Sequence, residues 1–119
     1  MRFLSPIAML LGCLAASPAS AHAYLTTAEP AAGSVVAAPP AKLVMHFTEA
    51  LAVPFCTVTV SDSAGKTFNT AKPETIPGHD DSLSVPLDIT APGKYTVTWH
   101  ALSADTHKTQ GHFTFTVSQ

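Results

Sequence analysis

Positive charge is scarce in this chain. Its only arginine is Arg2, and beyond the first 21 residues Lys42, Lys66, Lys72, Lys94 and Lys108 stand against eight acidic residues. With no basic patch, a nucleic-acid partner has no electrostatic support. Cysteine is nearly as rare: Cys13 and Cys56 are the only two. Cys13 lies in the apolar opening, so a body without it has no internal disulfide and must be stabilised by packing. No stretch after Ala21 approaches the roughly 20 apolar residues that a spanning helix needs. A convincing helical period and an internal repeat are both missing. So are a Ser-His-Asp order, a phosphate loop and a cysteine-pair motif, which leaves hydrolase, nucleotide-binding and zinc-finger readings unsupported.

What is present begins with a leader. Met1-Arg2-Phe3-Leu4, the apolar run Ile7 to Ala16 and the small residues ending in Ala19-Ser20-Ala21 have the three regions of a secretory signal. Cleavage after Ala21 exports a soluble chain that starts at His22, so residues 1–21 are read as signal and 22–119 as one small domain. Leu10-Leu11-Gly12-Cys13 loosely resembles a lipoprotein signal, a competing reading that would leave the α-amine of His22 inside a peptide bond. The Ala-Ser-Ala site is the better formed of the two.

Within the body, alternation points to strands. Leu43, Met45 and Phe47 alternate with Val44, His46 and Thr48, and Cys56, Val58 and Val60 form the inner face of a second strand. Tyr95, Val97 and Trp99 belong to a strand over Lys94 to Leu102, and Phe113, Phe115 and Val117 to a closing strand over Gly111 to Ser118. Thr26 to Pro40 reads as extended or irregular, with a short strand around Val35. Lys72 to Asp81, holding Pro73, Pro77 and Gly78, reads as loop. Leu83 to Leu87 is a short strand that Pro86 places at an edge. Short strands with Pro and Gly turns predict an all-β sandwich or barrel.

Six histidines are many for a chain of 119 residues. Asp105 and His107 stand two apart, which on an extended segment sends both side chains to one side. A freed terminal His22 offers its α-amine and its ring Nδ1 to one ion. Joined with His107 and the Asp105 oxygen, these make a three-nitrogen, tetragonal set of the kind that favours Cu(II). Each has an ordinary alternative: a frayed terminus for His22, and a turn-former bonded to its own backbone for Asp105. His46 reads as a partly buried or outward sheet residue, and His79 beside Asp80 and Asp81 as a solvated loop. His100 and His112, on the strands flanking the site and able to face each other across the hairpin, read as polar-face residues, with outer groups supporting the metal ligands or a weak second site as alternatives.

The ordered set His22-Ala23-Tyr24-Leu25, Pro30, Gly33-Ser34, Phe47-Thr48-Glu49, Gly93 to Trp99, Ser103 to His107 and Gly111 to Val117 resembles the CopC family of periplasmic copper-binding proteins. That resemblance implies a seven-stranded immunoglobulin-like Greek-key sandwich, a cupredoxin-like barrel. It implies Cu(II) held by His22, His107 and Asp105, with Glu49 as a hydrogen-bonding partner of the terminal amine or of a ligand histidine. The chain departs from the family at Thr106, where glycine usually stands, so a backbone angle needing glycine is either relaxed or met differently. Some members also carry a methionine-rich Cu(I) segment, whereas here only Met45 follows the leader.

The expected function is that of a periplasmic copper carrier or buffer, a soluble monomer without enzymatic activity. It would hand copper to an inner-membrane transporter of CopD type or sequester it. Two rivals stand beside it: an oxidative copper enzyme built on a terminal histidine, and a metal-free immunoglobulin-like module.

Overall fold

The computed structural model describes residues 22–119; the signal-peptide and Cys13 readings fall outside them. Eight strands form two four-stranded sheets, and they are β1 (Leu25–Glu29), β2 (Val35–Val36), β3 (Lys42–Phe47), β4 (Thr57–Ser61), β5 (Glu74–Ile76), β6 (His79–Pro86), β7 (Gly93–Leu102) and β8 (Lys108–Val117). One sheet runs β1-β3-β6-β5 and the other β2-β8-β7-β4, so the chain passes between sheets after β1, β2, β3, β4 and β6. A short 3-10 turn, Val53–Phe55, precedes β4. The sandwich therefore has eight strands where seven were expected.

The alternation in the sequence is the alternation of the core. Leu43, Met45 and Phe47 from β3 meet Val58, Val60, Tyr95, Val97, Trp99, Phe113, Phe115 and Val117 from the other sheet, all buried. Burying such a side chain contributes about 1.5–3 kcal/mol. The aromatic rings interlock: Phe47 meets Trp99 edge-on at 5.2 Å and Tyr95 stacks on Phe115 at 5.7 Å between centroids. Cys56 is a core residue, its thiol pushed up from the ordinary range first by burial.

Three readings need correction. Lys72 to Asp81 is not all loop, because β5 and the start of β6 form a hairpin about Pro77-Gly78. Proline presets the first central angle of such a turn and Gly78, at φ +81°, supplies the left-handed second one. Pro86 does not mark an edge strand, since β6 lies between β3 and β5. It is the last residue of β6, and its carbonyl accepts from Thr70 N at 3.1 Å. Its ring nitrogen faces the same way, beyond the end of β5, where no ladder bond is due. Finally, Leu25–Glu29 is a strand paired with β3, but only Ala28 of its five residues is buried, so no apolar period announces it.

β7 and β8 pair over their full ten residues, from Gly93 with Val117 to Leu102 with Lys108. The edge strand β4 is covered by the amide of Asn69, which accepts from Val60 N at 3.2 Å and donates to Val58 O at 3.1 Å.

Gly111 pairs with Trp99, and a Cβ there would meet the indole Cζ2 at 2.7 Å. Gly111→Ala is accordingly expected to destabilise the domain by about 1–2 kcal/mol, the overpacking outweighing the gain from a stiffer unfolded chain. The urea midpoint reads this, and an unchanged or raised midpoint would show that the indole yields without cost.

Candidate metal centre

The site is assembled at one end of the sandwich by three segments that have little apolar pattern. The segment after β3 closes that end: Leu51 N–H donates to Asp80 O at 2.8 Å, and Ala52 N–H to Leu102 O at 2.9 Å. The β7–β8 turn, Ser103 to His107, is tied to it by Ala104 N–H donating to Ala50 O at 2.8 Å. The arm before β1 lies alongside.

Inside the turn the organising group is the hydroxyl of Ser103, a residue only 1% exposed. It donates to Asp105 Oδ1 and accepts from His107 N at 3.1 Å. Around it, Ser103 N–H donates to His107 O and Thr106 N–H donates to Ser103 O, each at 2.9 Å. Asp105 and His107 thus belong to a tight turn and not to an extended segment, because β8 starts only at Lys108. Their side chains still converge, with Asp105 Oδ1 3.1 Å from His107 Nδ1. Thr106 between them sits at φ +74°. A β-branched residue in the left-handed region costs on the order of 1–3 kcal/mol, so threonine here adopts the glycine angle at a cost.

Asp105 is exposed, yet its carboxyl is held below the ordinary carboxylate range. The cause is first the Ser103 hydrogen bond, which outweighs the opposing effect of desolvation, and then the contacts with His107. Both favour the charged form.

His22 is delivered by hydroxyl pins. Thr48 Oγ1 accepts from Tyr24 N at 2.9 Å and donates to His22 O at 3.1 Å, while Thr48 N–H donates to Tyr24 O at 2.8 Å. Thr109 Oγ1, near the start of β8, donates to Ala23 O at 2.7 Å, and Ala23 is fully buried. With Ala23 anchored, the ring of His22 lies 4.8 Å from that of His107 between centroids, tilted by 34°. His22 Nδ1 is 3.3 Å from the Tyr24 hydroxyl. Thr48, Ser103 and Thr109 carried no signal of their own, since isolated hydroxyls follow no period.

The structure thus brings His22, His107 and Asp105 into one neighbourhood. Among the described residues no three His, Cys, Asp or Glu side chains already converge as a ligand cluster. Two of the donor atoms are engaged: His107 Nδ1 by Asp105 and His22 Nδ1 by Tyr24. An incoming ion must displace those partners or use the other ring nitrogens. Glu49 is exposed and, with Ala50, Ser103, Ala104 and Asp105, borders a cleft of about 120 Å³. Among the described residues it makes no hydrogen bond to either histidine.

The remaining histidines lie elsewhere. His46 Nδ1 is 2.7 Å from Ser82 Oγ, which donates to Asp81 Oδ1 at 3.0 Å. His79 is the exposed first residue of β6. His100 pairs with Gln110 and His112 with Thr98, so these two histidines do not face each other but stand on the diagonal.

The sequence matches the CopC domain over residues 25–118. Protein YobA of Escherichia coli strain K12 is 36% identical over 112 residues, covering 93% of this chain and 90% of its own length. The crystal structure of CopC from Methylosinus trichosporium OB3b superposes with a TM-score of 0.76 at 28% identity, over 82% of this chain and 94% of that one. PcoC, a methionine-rich copper resistance protein from Escherichia coli, superposes at 0.71 with 31% identity, over 82% and 100%.

Because the folded-state pKa of Asp105 is lowered, its ionisation stabilises the fold at pH values above the unfolded carboxylate pKa. That contribution is lost as pH falls through the lowered value. Ser103→Ala should move the Asp105 titration upward, read by carboxyl carbon NMR. A titration that stays in place would remove Ser103 as its principal cause.

Proposed function

The chain belongs to the CopC family, and on that footing we propose that it binds Cu(II) as cargo through His22, His107 and Asp105, carrying or buffering copper after export to the periplasm. The observation that carries this reading is the pairing of the His22 and His107 rings at 4.8 Å, with Asp105 on His107. Imidazole nitrogen and carboxylate oxygen are donors that suit Cu(II) in a tetragonal arrangement. With only Met45 after the leader, the chain has no thioether cluster of the kind that suits Cu(I).

Removal of residues 1–21 is part of the proposal. In the uncleaved chain the nitrogen of His22 is an amide, bound to Ala21; once freed it becomes a third nitrogen donor. Glu49, beside Asp105, adds negative charge next to the ion and is an outer hydrogen-bond acceptor for a ligand. Protons compete with copper for each nitrogen, so acid releases the ion. The scaffold is closed by packing alone, so the metal-free chain stays folded and copper binding is not coupled to folding.

The role is carriage and not catalysis. The His22 amine and ring, the His107 ring and the Asp105 carboxylate would together supply four donors to Cu(II), leaving little room for a substrate oxygen to be activated there. Delivery to an inner-membrane transporter of CopD type is consistent with an exposed site at the end of a sandwich.

Competitive Cu(II) titration of the chain beginning at His22 tests the ligand set. His107→Ala should weaken binding by about a hundredfold or more with a metal-free unfolding midpoint close to that of the parent, and Asp105→Asn by about tenfold with a slightly lowered midpoint from the lost charged hydrogen bond. Copper-loaded protein with ascorbate should show no sustained peroxide production. Equal affinity in both variants would remove the assignment, and sustained turnover would replace the carrier by an oxidative enzyme.

A further inference from the structure

We propose that His100 and His112 form a second metal site, on the outer face of the sheet β2-β8-β7-β4, which takes a divalent late transition-metal ion through two imidazoles. It does not depend on the His22–His107 site. The register pairs His100 with Gln110 and Thr98 with His112, so the two histidines occupy diagonal positions on one face of the ten-residue ladder. Diagonal neighbours across an antiparallel pair have Cβ atoms about 7 Å apart, within reach of long or aromatic side chains. An ion bound at about 2.0–2.1 Å from each nitrogen bridges rings placed in this way. Both residues are exposed, and both border one shallow cleft of about 390 Å³ together with Thr98, Gln110 and Gly111.

The surroundings favour imidazole chemistry over harder ligands. On this face His100 has Thr57 beside it on β4 and Gln110 on β8, with Lys108 on its other diagonal; His112 has Thr98. Gln110 is placed to add an amide oxygen. No carboxylate lies among these positions, so Ca²⁺ and Mg²⁺, which need several oxygen ligands, have nothing to hold them. Cu(II), Ni(II) and Zn(II) suit imidazole, and Cu(II) binds tightest of the three. Among the described residues neither ring is held by a hydrogen bond, so both are free to turn towards a shared ion. Lys108 sets a limit: its charge opposes a cation near His100, which makes this the weaker of the two sites.

The test is Cu(II) and Ni(II) titration of the chain beginning at His22, followed by ring-proton NMR, with Mg²⁺ as the negative control. A second equivalent should bind after the first. It should become about tenfold weaker or more in His100→Ala or in His112→Ala and vanish in the double variant, with the first equivalent unchanged. In His107→Ala the His100/His112 equivalent should persist, which separates this site from the proposed copper-carrier site. Both substituted residues are exposed, and an unchanged unfolding midpoint verifies the fold. A second equivalent that survives in the double variant, or no second equivalent at all, overturns the proposal.

Discussion

One buried hydroxyl holds the functional end of this molecule together. Ser103 bonds the carboxylate of Asp105 and the backbone of His107 from a position closed to solvent. Without that hub the five-residue turn would have only its backbone bonds to keep Asp105 against His107, with Thr106 pulling the other way from an unfavourable angle. A hydrogen bond to a charged group contributes more than one between neutral partners, which is why a serine suffices here. The strain at Thr106 and the bond at Ser103 are two sides of one design: the turn is over-determined and so keeps its shape without a metal.

The second requirement is that opposite ends of the chain meet. The long β7–β8 ladder projects its turn at one end of the sandwich, and Thr48 and Thr109 clamp the arm that carries His22 beside it. Buried Ala23 fixes the reach of that arm. The proposed ligands are polar, Asp105 and His107 exposed and His22 half-buried, while everything that positions them is buried or hydrogen-bonded. In the proposed role, that division would let an ion enter and leave by exchanging hydrogen bonds at His22 Nδ1 and His107 Nδ1, with no change in the core.

Much of this was legible in the sequence. The strands with period-two apolar faces, β3, β4 and β7, lie where they were read, because burial of one face imposes that period, while β8 starts three residues earlier than read, at Lys108. β1 and β5 were missed because an edge strand needs little apolar content, and the β5–β6 hairpin because Pro77-Gly78 reads equally as loop and as tight turn. Spacing linked only Asp105 and His107, and the leader's cleavage site and the family resemblance added His22; the three do lie together, but the extended geometry assumed for Asp105 and His107 did not hold. A turn centred on Thr106 is invisible to propensity, since threonine disfavours the angle it adopts. The hydroxyls of Ser103, Thr48 and Thr109 were illegible for a related reason: their roles depend on partners far along the chain.

The central claim is that copper requires the freed terminal amine of His22. It is tested most directly by Cu(II) electron paramagnetic resonance and competition on the chain beginning at His22, beside the same chain with one glycine placed before it. The account predicts that the added glycine weakens binding by at least about a hundredfold and alters the spectrum. Equal affinities with identical spectra would contradict it and leave the amine outside the coordination sphere.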